Sequence, residues 1–517
     1  MTLARNVASV GSATLISRVL GFARDVAIAA VFGAGARADA FFVAFQLANL
    51  FRRMLAEGAL NAAIVPLYLR ARDEGGDDGA SAFAGRLIGT VTAALVVLVA
   101  VLTVVMPILV WVLAPGFAAG GPRMTGAIEF ARLMLPYLIF AGPVAVLMGI
   151  LNANGRFIAA AFATSAFNAA MLTALGVVFI LHSGDSDRSA QIVSIGTAFA
   201  GLAQLALVGA AAWRGPARMA PLSISFGPDM RRFLALAIPG LVASGIPQIT
   251  VIAGVMVASA SSSAVSWIYY ANRLIELPLG IVGIAIGTVL VPAFTHAIRS
   301  GDRRELGHVE SRGIELALGL ALPAAIALAV LAEPIVHVLF QHGAFRPEDT
   351  AATASALAAF ALGLPGHVLV KTFSPIFFAR EDTGTPMRAA LFGFAFAIIG
   401  SLILMPIMGH TGVALAIALS GWAAAILLGV LIARRIGFSI DRDARRRLPR
   451  IVLAAIVMGI ALVAAHRGTQ ALVSTGLTRA ALLAALVTLG LAIYLAALRV
   501  FRVTTLRELT SSLRRRL

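Results

Sequence analysis

The chain has 517 residues, of which 60% are hydrophobic and 13% are charged, and its mean hydropathy is +0.94. Soluble proteins of this length are far more polar, so the composition indicates a membrane protein with many helical spans. The net charge of +17 fits arginines in cytoplasmic loops that touch anionic headgroups rather than a nucleic-acid partner, and the lack of cysteine excludes disulfides, thiolate catalysis and Cys-ligated metals.

The hydrophobic runs predict an all-α polytopic membrane protein with about 14 transmembrane helices. Most runs reach the roughly 20 apolar residues that cross a bilayer as a helix. In chain order, we predict helices at 7–31, 39–68, 87–114, 127–151, 157–181, 190–213, 233–260, 265–295, 313–341, 351–379, 389–408, 412–433, 451–466 and 480–498.

The distribution of arginine predicts the orientation in the membrane. If the N-terminus is cytoplasmic, 28 of the 41 basic residues lie in cytoplasmic loops and tails, 6 in the opposite loops and 7 within spans. Because positive residues accumulate on the cytoplasmic side, this bias places both termini in the cytoplasm, in agreement with an even number of spans.

A weak internal repeat predicts two lobes. Residues 64–67 and 290–293 end the second and eighth spans with similar sequences, and 150–154 and 376–380 end the fourth and tenth at the same offset of 226 residues. An offset of six whole spans is typical of a parallel repeat, with a substrate cavity between its halves. We therefore predict a six-helix lobe in 1–213, a second in 214–436, and two extra helices with a basic tail in 437–517.

Several charges lie inside the predicted spans, where each costs about 2.5–3.5 kcal/mol at a helix centre and so faces a partner or a wet cavity. They cluster on the first, second and eighth helices, with one lysine on the tenth. These residues are Arg18, Arg24 and Asp25; Asp39, Arg52, Arg53 and Glu57; Arg273 and Glu276; and Lys371.

Local ion pairs are one interpretation of these charges. Arg53 and Glu57 are spaced i,i+4, and Arg273 and Glu276 are spaced i,i+3, so each pair can form along a single helix.

An anion site is the other interpretation, because Arg18, Arg24 and Arg52 outnumber their obvious partners Asp25 and Asp39. Guanidinium groups bind phosphate in a bidentate way and stay charged when partly desolvated. A surplus of arginine in a cavity therefore predicts a polyanionic ligand such as a diphosphate headgroup.

Two intramembrane histidines are weaker candidates. His337 follows Glu333 by four residues, and His367 precedes Lys371 by four. A proton relay is one interpretation, but a hydrogen-bonded packing role is more common for a lone histidine in a span. The sequence contains no metal-ligand spacing, nucleophile–base arrangement or phosphate-binding glycine loop, so we predict no enzyme activity, metal or cofactor.

Several blocks of the sequence resemble a known family, most densely within the first sixty residues. The blocks are 17–25 (SRVLGFARD), 32–35 (FGAG), 39–45 (DAFFVAF), 49–53 (NLFRR), 56–59 (AEGA), 266–274 (SWIYYANRL) and 339–345 (LFQHGAF). They are similar to the MurJ/MviN family, the bacterial lipid II flippases of the multidrug/oligosaccharidyl-lipid/polysaccharide exporter superfamily. The resemblance covers nearly the whole chain.

The resemblance implies a V-shaped transporter of two lobes, with the last two helices forming a hydrophobic groove for a lipid tail. It places the cavity arginines that hold the diphosphate-sugar headgroup at Arg18, Arg24, Arg52 and Arg273. The supporting cavity charges predicted beside them are Asp25, Asp39, Glu57, Glu276 and Lys371.

Two features depart from the family pattern. Asn272 stands where many members have an aspartate, which removes one negative charge next to Arg273. The predicted spans 233–260 and 389–408 contain no Asp or Glu, so we do not expect the sodium site of some members and favour coupling to membrane potential or protons.

The resemblance implies a flippase that moves lipid II, an undecaprenyl-diphosphate-linked disaccharide peptide, from the cytoplasmic to the periplasmic leaflet of the bacterial inner membrane for peptidoglycan synthesis. The implied mechanism is alternating access, and the implied partners are lipid II, membrane lipids and the cell-wall synthesis machinery. A drug/cation antiporter is an alternative that a basic cavity disfavours. A non-transporting membrane scaffold is another, and it predicts that Arg24→Ala is silent.

Overall fold

The computed structural model describes residues 3–56, 59–214, 220–300, 303–435, 437, 440–469 and 476–503. Within these ranges the chain forms fifteen α-helices and no strand. The helices are α1 (Leu3–Phe32), α2 (Ala36–Ala56), α3 (Ala59–Leu113), α4 (Pro122–Met134), α5 (Tyr137–Ala153), α6 (Phe157–Ile180), α7 (Asp187–Trp213), α8 (Pro228–Ala258), α9 (Ala264–Ser300), α10 (Arg303–Val330), α11 (Ala332–Phe340), α12 (Pro347–Phe378), α13 (Gly384–Arg435), α14 (Arg442–Thr469) and α15 (Gly476–Val500).

Many of these helices can cross a membrane. By length and composition, eight qualify in the described part of the chain, namely α3, α6, α7, α10, α12, α13, α14 and α15, and the bent pair α4 and α5 forms a ninth candidate. The predicted segments lie on observed helices, but several helices extend further than predicted, by up to ten residues at the start of α10. Segment 39–68 covers α2 and the beginning of α3, and residues 57–58 between them lie outside the described residues. The protein is an all-α polytopic membrane protein, as the sequence predicted.

Prolines explain where two of the predicted helices divide, and a glycine explains a break that was predicted. The predicted segment 127–151 divides into α4 and α5, with Pro136 at the N-cap of α5 and a bend of 41°. Segment 313–341 divides into α10 and α11, because Pro334 fits in the first turn of a helix but disrupts an interior. The predicted break between 389–408 and 412–433 is present within α13, because Gly409 has non-helical backbone angles, with a φ of +60° that glycine adopts readily.

The predicted cytoplasmic loop 69–86 is largely helical. It forms part of α3, which has non-helical backbone angles only at Gly75 and Gly76. Arg70 pairs with Glu74 at 2.6 Å, and an i,i+4 pair of this kind favours helix outside the bilayer. Two helical stretches meet at Gly75 and Gly76, and both therefore extend beyond the hydrophobic runs from which their limits were predicted.

The helices belong to two compact units. Unit 1 contains Met1–Ser266 and His342–Arg346, and unit 2 contains Trp267–Gln341 and Pro347–Leu517. The lobes predicted at 1–213 and 214–436 rest on the sequence repeat and stay a prediction.

Unit 1 is built from helices that pack pairwise around an apolar core. Helix α1 packs on α6, α2 on α4, α3 on α5 and α8, and α7 on α5 and α6. The core includes Leu60, Tyr68, Leu87, Leu147 and Phe233, all buried. This packing positions α1, α2 and α6 so that their few polar side chains meet inside the unit.

The segment 342–346 lies against the end of α1. The Ala344 N–H donates to the Ala30 carbonyl at 2.9 Å. Gly33 has a φ of +58°, and a Cβ there would lie 2.4 Å from the Ala344 carbonyl oxygen. Only glycine fits both the left-handed backbone and this close approach.

Unit 2 carries the last two helices on its surface. Helix α12 packs on α10, α11 and α13, and α14 packs on α10 and α15. Leu331, Met458, Leu462 and Leu486 form an apolar cluster there, and the Tyr494 hydroxyl donates to the Gly319 carbonyl at 2.7 Å. The hydrogen bond fixes α15 to α10 at a defined position.

Asp441 caps the start of α14. Its Oδ1 accepts a hydrogen bond from the Ala444 N–H at 2.6 Å, and its Oδ2 lies 3.1 Å from His308 Nδ1 on α10. Burial alone would raise the pKa of this carboxyl, but the Ala444 N–H, His308 and Arg312 outweigh it and lower the pKa of Asp441.

Candidate functional site

Arg24 is buried in unit 1 and has an anionic partner. It is 5% exposed, and its Nε and Nη2 donate to Oδ1 of the fully buried Asp25 at 3.0 and 2.7 Å. Its Nη1 donates to Oδ1 of Asn168 on α6 at 3.0 Å. Burial of a charge is tolerated only with such pairing, so these partners explain how Arg24 sits in an apolar unit.

One aromatic ring brings Arg24 and Arg52 together. The guanidinium carbon of Arg24 lies 6.0 Å from the centroid of the Phe167 ring, and that of Arg52 lies 5.6 Å from the same centroid. Arg24 also lies 5.1 Å from the Phe45 ring, while Arg52 Nε donates to Asn49 Oδ1 at 3.1 Å. Two predicted cavity arginines thus converge inside unit 1, held by ring faces that attract cations.

The Phe167 ring is itself fixed by a buried polar pair. Tyr137 packs on it edge-on at 5.4 Å between centroids, and the Tyr137 hydroxyl lies 3.0 Å from Gln204 Oε1. Gln204 Nε2 in turn donates to the Ala163 carbonyl of α6 at 3.0 Å. The ring that both arginines approach therefore has a defined orientation.

Arg18 and Arg53 are half-buried on the same two helices. Asn168 Nδ2 donates to the carbonyl oxygen of Ser17, beside Arg18, at 3.0 Å. Glu57, the predicted partner of Arg53, lies outside the described residues, so their pairing stays a prediction.

Asp39 binds the start of α9 rather than the predicted arginines. Its carboxylate accepts hydrogen bonds from the Ser263 N–H at 2.8 Å, the Ser266 N–H at 2.9 Å and the Ser266 hydroxyl at 2.6 Å. Arg52 is thirteen residues away on α2, which is about 20 Å along a helix. Counting Asp39 as a partner for the arginines of α1 and α2 was therefore wrong.

Arg123 complements Asp39 at the turn between α8 and α9. Its Nη1 donates to the carbonyl oxygens of Ser259 and Ser261 at 3.1 and 3.2 Å, and lies 3.7 Å from Asp39 Oδ2. A cation thus faces the carbonyl end of α8 and an anion faces the amide end of α9, as helix dipoles favour.

Arg273 forms the predicted pair along α9 in unit 2. Its Nη1 donates to Glu276 Oε2 at 2.7 Å, and Asn272 Nδ2 lies 3.4 Å from Glu276 Oε1. Both charged side chains are about a quarter exposed (24% and 29%), so the pair is open to solvent or ligand. The local i,i+3 pair, one of the two interpretations of these charges, is thus present.

Lys371 and His367 lie on α12 of unit 2. The ammonium of Lys371 reaches α9 at Gly283, where an added Cβ would be 3.1 Å from Nζ. The His367 ring packs against Gly421, where a Cβ would lie 2.8 Å away. His367 thus has the packing contacts that are usual for a lone histidine in a span.

His337 joins α11 to the last helix. Its Nε2 accepts a hydrogen bond from Arg479 Nη1 of α15. Sequence spacing had suggested Glu333 as its neighbour, whereas the arginine comes from 142 residues further along the chain.

Asn168, Phe167 and Arg123 are not among the predicted site residues, because those are the charged residues within predicted spans. Helix α6 has no charged residue, and Arg123 lies in a predicted loop. A buried asparagine in a hydrophobic helix was the one signal available, since a polar side chain there needs partners. In the described part of the chain, no group of three or more His, Asp or Glu could hold a metal ion.

Comparison with known proteins places the chain in a family. The family model described as "Lipid II flippase MurJ" matches residues 28–485. The chain belongs to the MurJ family.

Relatives of the MurJ family match over almost the full length. "Probable lipid II flippase MurJ" of Rhizobium meliloti is 39% identical over 501 residues, which cover 96% of this chain and 93% of the relative. "Probable lipid II flippase MurJ" of Rhizobium tropici is 37% identical over 503 residues, with the same coverage of both chains. "Lipid II flippase MurJ" of Burkholderia cenocepacia is 31% identical over 459 residues, covering 89% of each.

Solved structures support the same fold. "Lipid II flippase MurJ, inward closed conformation" matches with a TM-score of 0.77 and 23% identity, covering 95% of this chain and 98% of that one. An inward-facing multidrug resistance transporter of the MATE family matches with a TM-score of 0.66 and 17% identity over 81% of this chain. At these identities the likeness concerns the fold alone.

Proposed function

We propose that this MurJ-family chain is a flippase that moves lipid II across the membrane in which its helices lie. The observation that carries the proposal is the convergence of Arg24 and Arg52 on the buried Phe167 ring. Paired guanidinium groups in an apolar unit are suited to a diphosphate, since each binds a phosphate through two parallel hydrogen bonds. Lipid II carries such a diphosphate between its sugar headgroup and its polyprenyl tail.

The headgroup ligands in this proposal are Arg18, Arg24 and Arg52 of unit 1 and Arg273 of unit 2. Contacts with described residues use three of the five N–H groups of Arg24, so two can serve an oxyanion. The supporting roles of Asp25, Asp39, Glu57, Glu276 and Lys371 belong to the same proposal.

The burial of Arg24 supports alternating access as the mechanism in this proposal. With 5% of its surface exposed, this residue meets a headgroup only when the helices around it move. Substrate or a coupling ion changes the populations of the inward-facing and outward-facing states only if it binds the two states with different affinity. We propose coupling to membrane potential or protons.

The proposed location is the bacterial inner membrane, with both termini in the cytoplasm. The arginine bias of the loops supports this orientation. In this proposal the last two helices handle the polyprenyl tail, and the cell-wall synthesis machinery consumes the product.

Conditional complementation tests the function. In a bacterium depleted of its own lipid II flippase, the wild-type chain should restore exposure of lipid II outside the cell. Arg24→Ala and Arg52→Ala should fail, with lipid II accumulating inside at normal protein levels. Arg37→Ala is the control, because Arg37 forms exposed ion pairs with Asp185 and Asp187.

Two outcomes would overturn the proposal. Lipid II exposure that stays low with abundant wild-type protein would contradict the flippase function. Full activity of both arginine variants would instead favour a membrane scaffold.

A further inference from the structure

Helix α6 contributes two neighbouring uncharged residues to the arginine site, Phe167 and Asn168. Both side chains are buried, with 2% and 4% exposed. Phe167 contacts Arg24 and Arg52, and Asn168 contacts Arg24 and the backbone of α1. The same turn of α6 therefore touches both guanidinium groups.

The amide of Asn168 has one orientation that satisfies its neighbours. Its oxygen faces the Arg24 Nη1 donor at 3.0 Å, and its NH₂ faces the Ser17 carbonyl acceptor at 3.0 Å. A carboxylate could accept from Arg24 but could not donate to Ser17, and leucine could do neither. Asn168 thus fixes the guanidinium of Arg24 relative to the α1 backbone.

Phe167 fixes the relation between the two arginines. Both guanidinium carbons lie within 6.0 Å of its centroid, so the separation of these carbons is limited by the ring. Tyr137 holds the ring edge-on, which resists its rotation. A smaller aliphatic side chain would remove the shared cation–π contact and free Arg52 from Arg24.

We propose that Phe167 and Asn168 are positioning residues that hold Arg24 and Arg52 as a pair suited to two linked phosphates. They thereby set a preference for lipid diphosphates over lipid monophosphates. This inference rests on the proposed function. A single arginine binds either phosphate group comparably, whereas a spaced pair gains its second contact only from a diphosphate.

Binding to the purified full chain tests the inference. The probes are lipid II, undecaprenyl diphosphate and undecaprenyl monophosphate, each titrated against wild type, Asn168→Leu, Asn168→Asp and Phe167→Leu. We expect about ten-fold weaker diphosphate binding in Asn168→Leu and Phe167→Leu, with monophosphate binding changed less than about three-fold. Asn168→Asp should also weaken diphosphate binding, because its carboxylate competes with the phosphate for Arg24.

Thr173→Val is the matched control on the same helix. Thr173 is exposed, and its hydroxyl donates to the Ala169 carbonyl of its own helix at 3.0 Å. This variant should bind all three lipids as wild type does. If Asn168→Leu does not fold, Asn168→Asp and Phe167→Leu carry the test.

The outcomes separate the inference from the proposed function. Equal weakening of monophosphate and diphosphate binding, or none, would overturn the positioning role while wild-type binding of lipid II still supports the flippase. Failure of the wild type to bind lipid II would overturn both.

Discussion

The carboxylate of Asp39 should be a major contributor to the stability of unit 1. It is fully buried and accepts three hydrogen bonds from Ser263 and Ser266 at the first turn of α9. Asp39→Asn keeps the shape but replaces one acceptor oxygen with an NH₂ group. Whichever way the amide turns, one donor of α9 then faces another donor.

The expected loss is about 2–4 kcal/mol in free energy of unfolding. A hydrogen bond to a charged acceptor contributes about 1.5–3 kcal/mol. The charge at the N-terminus of α9 contributes about 0.3–1 kcal/mol more through the helix dipole. Arg123, 3.7 Å from the carboxylate, would also lose its anionic neighbour.

Equilibrium unfolding of the purified protein in mixed detergent micelles measures this loss. Asp187→Asn is the control, since Asp187 pairs with Arg37 at 2.7 Å but its side chain is 76% exposed. An exposed pair contributes about 0–1 kcal/mol, so the control should unfold nearly like the wild type. If Asp39→Asn were no less stable than the control, the assignment of Asp39 to the start of α9 would be refuted.

Three further predictions use the same unfolding measurement. Gly33→Ala should lower the free energy of unfolding by about 2–4 kcal/mol, because its Cβ would lie 2.4 Å from the Ala344 carbonyl oxygen on a left-handed backbone. Gly35→Ala is the control and should lower it by less than about 1 kcal/mol, because nothing lies within 4 Å of the added Cβ. Tyr494→Phe should lose about 1 kcal/mol with its hydrogen bond from α15 to α10, and an unchanged stability would contradict that bond. Since the pKa of Asp441 is lowered on folding, its cap stabilises the protein by about 1 kcal/mol above the unfolded pKa of about 3.9, and this contribution is lost as pH falls through the lower folded pKa. Asp441→Asn should therefore reduce the dependence of the unfolding free energy on pH in this range. An unaltered pH dependence would refute the cap.

Sequence reasoning succeeded where the physical cause is local. Hydrophobic runs predicted the helices, because about 20 consecutive apolar residues are what a bilayer requires. The Arg273–Glu276 pair was predictable because a helix brings positions i and i+3 together regardless of the rest of the fold. A predicted helix was wrong at Pro136, where one residue decides whether a helix divides or continues, whereas the break predicted after residue 408 is present at Gly409.

Sequence reasoning failed for partners that lie far apart in the chain. The Arg24–Asn168 hydrogen bond joins residues 144 positions apart, and Asp39 binds Ser266 at a separation of 227. Counting charges could not find these partners, since Asn168 is neutral and the Ser263 and Ser266 amides belong to the backbone.

The sequence by itself determined that this is a helical membrane protein with arginines within its first two apolar segments. Hydropathy and helical spacing are properties of contiguous residues, so they can be read without a fold. The tertiary structure decided which groups satisfy those charges, because a buried hydrogen bond depends on which helices pack together. Packing of α6 on α1 gave Arg24 its amide partner, and the approach of α2 to α9 gave Asp39 its backbone donors.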